Sequence, residues 1–282
     1  MSELFLVPSP IGNLKEVSPR VMEVLNSVDY IACEDTRNTS KLLSLLGINK
    51  RCVSCHEHNE NMESEKIISS LLEGKNIAYL SDAGYPCISD PGSILVKKAI
   101  ENNIKITPLS GPNAFLNALV GSGIDSSHFL FYGFLDSKES KRESELEKLK
   151  YLPYTLIFYE APHRINDTLK SMEKILGNRK VTIARELTKL HEEFIRSDLT
   201  SLNKENPSFI GELVIIVDKF NEIEKTDFDD YIPKLELLLK AGYKLKDATS
   251  IISLLFNVNK NKLYKRVIKK DWRLINLFNL FI

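Results

Sequence analysis

Two α/β domains followed by a small all-helical appendage are predicted by three features of the 282-residue sequence. Short apolar runs alternate with segments of helical spacing, a charge-dense stretch at residues 135–149 interrupts that rhythm, and from Thr226 onward helix formers replace every strand-like run. The α/β fold class therefore divides as residues 1–118, 119–220 and a basic helical appendage at 226–282. Hydrophobic residues at 43% allow a sizeable core, and 27% charged residues suit a globular surface. Lys and Arg (38) balance Asp and Glu (38), which argues against a wholly basic nucleic-acid coat but leaves local patches open. No basic leader precedes a long apolar stretch and no run approaches a membrane span, so a cytoplasmic, non-membrane protein is expected.

In chain order, Leu4-Phe5-Leu6-Val7 is a first buried strand and Pro8-Ser9-Pro10-Ile11-Gly12-Asn13-Leu14 the tight loop after it. This loop lacks G-x-G-x-x-G, so a dinucleotide cofactor is not supported. Ser18-Pro19 opens a helix to residue 25, with Pro in the first turn where its missing amide costs nothing. Tyr30-Ile31-Ala32-Cys33 is a second strand, and Glu34-Asp35-Thr36-Arg37 follows at its carboxyl end, ahead of a helix at 41–46. Charges there point either to a site or to an N-cap at Asp35 or Thr36. The polar cluster His56-Glu57-His58-Asn59-Glu60 precedes a helix at 64–73.

Asn76-Ile77-Ala78-Tyr79-Leu80 reads as a buried parallel strand, and residues 81–92 after it hold two Gly, two Pro and two Asp. Ligands of open α/β sheets bind beyond the carboxyl ends of strands, where glycine lets the main chain approach closely. A helix at 93–102, a strand at 105–109, the turn Ser110-Gly111-Pro112-Asn113-Ala114 and a helix at 115–120 complete a largely parallel pattern. Past the junction at 135–149 come a strand at 155–159, a helix at 165–176, and strands at 181–184 and 213–217. Glu160, His163 and Arg164 follow one strand end, and Arg185, Glu186 and Lys189 another.

Cys33, Cys52, Cys55 and Cys87 are expected as thiols. Cys52-Val53-Ser54-Cys55-His56 has the spacing of covalent haem attachment, but no second Cys pair completes a zinc set and no export signal accompanies it, so no metal is expected. Helices are expected at 232–240, 246–255 and 260–269, and from Lys240 to Lys270 nine Lys or Arg face one acid, Asp247. That imbalance makes Lys244, Lys246, Lys260, Lys262, Lys265, Arg266, Lys269 and Lys270 candidate phosphate contacts, against the plainer reading of a solvated helical face. The apolar tail from Trp272 is expected to dock on the protein or on a second subunit.

Taken in order, Pro10-Ile11-Gly12-Asn13-Leu14, Glu34-Asp35-Thr36-Arg37, His56-Glu57-His58-Asn59-Glu60, residues 81–92, Glu160-Ala161-Pro162-His163-Arg164 and Ala184-Arg185-Glu186-Leu187-Thr188-Lys189 resemble the tetrapyrrole methylase family, specifically its branch acting on ribosomal RNA. The resemblance covers about residues 4–218, with Tyr85 where Thr is usual and Ser110 before Gly111 where Pro is usual. It implies two α/β domains with a cofactor cleft between them, S-adenosylmethionine as cofactor, and a homodimer. It further implies 2′-O-methylation of a cytidine ribose in the decoding region of 16S rRNA within the small ribosomal subunit.

Cofactor contacts are expected from Pro10, Ile11, Gly12, Ala83, Gly84, Tyr85, Pro86, Ile88, Asn113 and Ala114 on the first domain, and by resemblance from Phe158, Tyr159, Ala184 and Leu213 on the second. Arg37, Arg164, Arg185 and Lys189 are candidates for substrate phosphates. Catalytic candidates are Lys189, Glu34, Asp35, Arg37, Glu160 and Arg185. Lys189 stands first, because the like charge of Arg185 disfavours its ammonium form and leaves an amine to accept the hydroxyl proton. The alternative is that Lys189 merely pairs with Glu186. Competing functions are a porphyrin or corrin C-methylase of the same fold and a non-catalytic RNA-binding assembly factor.

Overall fold

A computed structural model describes residues 2–221, 228–256 and 258–270, without the side chains of residues 229, 230, 269 and 270. The chain forms two compact units, Met1–Phe220 and Asn221–Ile282. The side chains of Lys269 and Lys270, expected as phosphate contacts, and the tail at 272–282, expected to dock, fall outside what the structure describes.

The first unit opens with a parallel sheet of β1 (Glu3–Val7), β2 (Tyr30–Cys33), β3 (Cys52–Ser54), β4 (Ile77–Leu80) and β5 (Lys105–Pro108), ordered β3-β2-β4-β1-β5. Helices α1 (Pro19–Ser27) and α2 (Thr36–Leu45) cover one face, and α3 (Glu60–Leu72) and α4 (Ser93–Glu101) the other. Every residue of β4 is therefore buried, the pattern of a central strand coated on both sides. Ser18 caps α1 by accepting the amide of Val21, with Pro19 in the first turn as expected.

Helix α5 (Ala114–Ser122) leads into a second sheet of β6 (Phe129–Phe134), β7 (Thr155–Glu160), β8 (Lys180–Arg185), β9 (Glu193–Asp198) and β10 (Leu213–Val217), ordered β6-β7-β10-β8-β9. Only β6 and β7 run parallel; the remaining pairs are antiparallel, so the alternation of strand and helix does not extend a parallel sheet here. Helices α6 (Glu139–Leu149), α7 (Ile165–Leu176) and α8 (Leu199–Glu205) coat one face, while α5 covers the other through Ala118 and Leu119. Residues 135–149, expected as a junction, thus lie inside this layer, because Arg142, Leu146 and Leu149 turn a buried stripe onto α7.

The second unit contains α9 (Ile232–Lys240), α10 (Leu245–Phe256) and α11 (Lys260–Lys270) around Leu235, Ala248, Ile252, Val258, Leu263 and Val267. Among the described residues, no helix is long and apolar enough to cross a membrane.

Candidate active site

The carboxyl ends of β1, β2 and β4 bring three loops to one rim. Ser9 and Gly84 exchange backbone hydrogen bonds of 2.8 and 2.9 Å, Ser9 Oγ donates to the Ser81 carbonyl at 2.6 Å, and Ser81 Oγ donates to the Gly84 carbonyl at 3.1 Å. Gly84 sits at φ +73°, a left-handed conformation that a β-branched residue tolerates poorly, which explains its place at the bend. The Tyr85 hydroxyl accepts the Gly111 amide at 2.8 Å, so the phenol bridges two loops of the rim. Asn113 next to it caps α5 by accepting the Leu116 amide at 2.8 Å.

A cavity of about 390 Å³ separates this rim from the ends of β7 and β10. Its size is that of a small-molecule site. Ile11, Ala83, Gly84, Tyr85, Ile88, Asn113, Ala114, Tyr159 and Leu213 line it, as does Glu160. Phe158 does not: strand alternation points Tyr159 at the cavity and Phe158 into the core under α6 and α7. Ala184 is buried beneath α5, and Pro10 and Pro86 are absent from the lining. Gly12 serves a different contact, since a Cβ there would collide with the Lys189 side chain and come within 2.8 Å of Thr188 Oγ1. It lets the first loop press against residues 187–189.

Sequence reasoning missed Ser89, Asp90, Phe134, Ala161, Pro162, Leu187, Glu212 and Val214 in the wall. Ser89, Asp90, Ala161, Pro162 and Leu187 lay within motifs already singled out, and Val214 continues an identified strand. Phe134 and Glu212 carried no local signal.

The charged candidates divide by their partners. Asp35 caps α2 by accepting the Arg37 amide, and two side-chain hydrogen bonds from Arg37, with that amide, hold its carboxyl at about 2. It is thus a poor proton acceptor at neutral pH, and the N-cap alternative is what the structure shows. The Arg37 side chain remains 84% exposed beside it. Glu34 is raised by burial and by the charge of Asp82, but it does not line the cavity. Glu160 is buried and fully engaged: it accepts from Thr168 Oγ1 at 2.6 Å and the Ala161 amide at 2.9 Å, and pairs with Arg164 at 3.2 Å. Arg164 in turn donates to the Leu135 carbonyl at 2.6 Å, so its guanidinium is held internally.

Lys189 reverses its expected role. Burial lowers its pKa, but hydrogen bonds to Glu186 at 2.9 Å and Glu212 at 3.2 Å outweigh burial and raise it, while Arg185 turns away to pair with Glu193 at 2.6 Å. The pairing with Glu186 is the alternative foreseen, although Glu186 and Thr188 occupy left-handed backbone and the segment is a loop rather than a helix. A lysine so held stays an ammonium through neutral pH.

The family model of the Tetrapyrrole (Corrin/Porphyrin) Methylases matches residues 3–203. The chain belongs to the tetrapyrrole methylase family. Two of its relatives share the name ribosomal RNA small subunit methyltransferase I. The one from Bacillus subtilis (strain 168) is 43% identical over 272 residues, 94% of this chain and 93% of the relative. The one from Escherichia coli O157:H7 is 40% identical over 274 residues, 95% and 96% respectively. Among solved structures, that of the methyltransferase CobJ matches with a TM-score of 0.60 at 17% identity, over 78% of this chain and 95% of that one. For this tetrapyrrole methylase the likeness to CobJ shows the fold alone.

The cavity wall combines apolar and aromatic surface with three carboxyl groups, of which Glu160 is paired with Arg164 and Glu212 with Lys189. Among the described residues that line it there is no Lys, Arg or His, whereas Asp90, Glu160 and Glu212 do line it. Tyr85, Phe134 and Tyr159 contribute aromatic surface, and aromatic faces attract onium groups.

Proposed function

We propose that this chain transfers the methyl group of S-adenosylmethionine to the 2′-hydroxyl of a cytidine ribose in the decoding region of 16S rRNA, working in the cytoplasm as a homodimer. The observation that carries the reading is the extent of the match. The family model stops at residue 203, while the relatives named for small-subunit rRNA match 94–95% of the chain. The similarity therefore extends into the helical unit, which a corrin or porphyrin methylase reading leaves without a purpose, and the acid-lined cavity argues against a non-catalytic relic.

S-adenosylmethionine supplies an activated methyl on a sulfonium, and the lining suits it: acidic and aromatic walls, a bare backbone at Gly84 and no Lys, Arg or His among the described residues that line it. Ile11, Ala83, Gly84, Tyr85, Asn113 and Tyr159, which line the cavity, would hold it. Methyl transfer is an in-line displacement, so alignment and exclusion of water carry most of the rate. Arg37, exposed beside the rim, is the best placed of the four proposed phosphate contacts.

The decisive experiment is mass mapping of rRNA nucleosides from small subunits incubated with the protein and S-adenosylmethionine; absence of a new 2′-O-methylcytidine would refute the reading. Gly84→Val is expected to weaken S-adenosylmethionine binding by more than tenfold in equilibrium titration, because a branched residue adds bulk to the cavity wall. Its left-handed backbone adds a stability cost of about 1–2 kcal/mol. Lys189→Met is expected to lower rRNA affinity and single-turnover rate together, by less than about tenfold, since an ammonium ion held by two carboxylates is not the proton acceptor. A far larger loss in rate than in affinity would restore Lys189 to that role.

A further inference from the structure

We propose that the groove between α6 and α7 holds a backbone phosphate of the rRNA strand whose target ribose enters the cleft, with the Arg142 guanidinium as its contact. This inference rests on the reading given under Proposed function and adds a site outside the active-site cavity. Arg142 is 5% exposed, yet it lines a second cavity, of about 360 Å³, between the two helices. Its Nε donates to Ser171 Oγ at 3.0 Å and its Nη1 to the Ser137 carbonyl at 3.1 Å. Nη2 has no hydrogen-bond partner, and the guanidinium no ion-pair partner, among the described residues. A buried charge is costly without a counter-charge, and a guanidinium with one edge open to a cavity is a fork for an anion.

Ser171 completes the fork. Its Oγ accepts from Arg142, makes no second hydrogen bond among the described residues, and keeps its own hydrogen to donate. The residue is buried and lines the same cavity, so its hydroxyl stands beside the guanidinium. Helix α6 adds its positive end. The N-cap, Lys138, offers no side-chain acceptor, and Ser137 and Glu139 on either side of it belong to the cavity wall. The other charges of the wall engage one another: Lys174 donates to both oxygens of Glu143 at 2.7 and 2.9 Å, and Lys170 stands 4.0 Å from Asp167. Lys174 is raised by the hydrogen bond to Glu143 and further by the charge of Glu139. Among the described residues of the wall, Arg142 is therefore the cation without a carboxylate partner, which suits the single charge of a phosphodiester.

The groove also adjoins the cleft. Phe134 and Glu160, at the carboxyl ends of β6 and β7, line the active-site cavity, and α6 and α7 each begin five residues further on. Ser137 lies three residues past Phe134, a reach of at most about 11 Å. A phosphate held there fixes the strand next to the reacting ribose, and it gives position rather than sequence choice.

The test compares wild-type protein with Arg142→Lys, Arg142→Met and Asp167→Asn in equilibrium binding to small-subunit rRNA. Arg142→Lys keeps the charge and loses the fork, and is expected to weaken rRNA binding by about tenfold and to raise KM for rRNA alike. The single-turnover rate at saturating rRNA and the affinity for S-adenosylmethionine are expected to stay near wild type. Arg142→Met is expected to reduce the slope of log K against log salt by about 0.7, the share of one phosphate contact. Asp167→Asn takes a carboxylate out of the wall and is expected to tighten rRNA binding by about threefold. Partial unfolding cannot produce such a gain, so Asp167→Asn decides alone if circular dichroism shows that the chain does not tolerate substitution at Arg142.

Inorganic phosphate separates the sources of the anion. At matched ionic strength it is expected to raise the thermal midpoint of wild type and to leave that of Arg142→Met unmoved. That rise together with unchanged rRNA affinity in Arg142→Lys means that the groove takes a free anion only, and overturns the proposal, as does an Asp167→Asn protein that binds rRNA no tighter than wild type. If wild type makes no 2′-O-methylcytidine and Arg142→Lys still weakens rRNA binding, the functional reading fails and the phosphate contact stands. If wild type methylates and Arg142→Lys binds rRNA as tightly, only the phosphate contact fails.

Discussion

Glu60→Ala is expected to lower the free energy of unfolding by about 3 kcal/mol, because one buried carboxylate satisfies three backbone donors. Glu60 stands in the first turn of α3, 4% exposed, and its Oε1 accepts the amides of Gly92 and Ile94 at 2.9 Å and of Leu95 at 3.3 Å. Gly92 is the N-cap of α4 and has no side chain to offer, so the glutamate from the neighbouring helix does the capping and places a negative charge against the positive end of the helix dipole. Alanine leaves three donors without an acceptor, each costing roughly 1 kcal/mol once water reaches part of the gap. Glu60→Gln keeps a carbonyl oxygen and loses the charge, and is expected to cost about 1 kcal/mol. Urea unfolding monitored by circular dichroism checks both; a loss under about 1 kcal/mol for the alanine variant would show that the amides find water or one another.

The same capping arrangement explains why glycine is required at position 92. A Cβ there would lie 2.6 Å from the Tyr79 ring and 2.9 Å from Cys87 Sγ, and φ is +125°. Tyr79 cannot yield, being fully buried with its hydroxyl donating to the Cys55 carbonyl at 3.0 Å. The stretch 81–92 was legible as a close-approach loop from its composition. That its far end hangs on Glu60 was not, because the contact spans more than thirty residues of chain.

Elements whose burial is written in local pattern were legible: β2, β10 and α7 were read with the bounds they have. Of the edge strands β5 was read but β3, β6 and β9 were not. Strand β9, Glu-Phe-Ile-Arg-Ser-Asp, is polar and half-exposed because only one neighbour, β8, pairs with it. Strand β6 breaks its alternation at a register shift between Phe131 and Gly133, which takes φ +85°. Helix α6 read as a charged spacer because Arg142 occupies a core position, and its guanidinium is held by Ser171 Oγ at 3.0 Å and the Ser137 carbonyl at 3.1 Å. The site followed the same rule. Loops after strands announced the cavity, but the rise of the Asp90 carboxyl to about 7 depends, after burial, on Glu34, which arrives from the loop after β2 and meets it only when β2 and β4 pair, and on Asp82 of its own loop.

Deleting residues 221–282 is expected to weaken binding to small-subunit rRNA by about a hundredfold at low salt and to reduce the slope of log K against log salt by about 3 to 4. Lys244, Lys246, Lys262, Lys265 and Arg266 are all exposed, while Leu263 and Val267, on the helix that carries the last three, are buried in the unit's own core. At roughly 0.7 counterions released per phosphate neutralised, five such contacts give that slope. They supply affinity without sequence choice, so rRNA and unrelated RNA of equal length are expected to lose binding alike. S-adenosylmethionine affinity is expected to stay within a few fold, because every residue of the cavity belongs to Met1–Phe220. Charge reversal of Lys262 and Lys265 to Glu in the full chain tests the same surface without removing a core, and is expected to account for about half of the slope change. An unchanged salt slope in both proteins would mean that these lysines are a solvated helical face, and that phosphate binding falls to Arg37 and its neighbours on the rim.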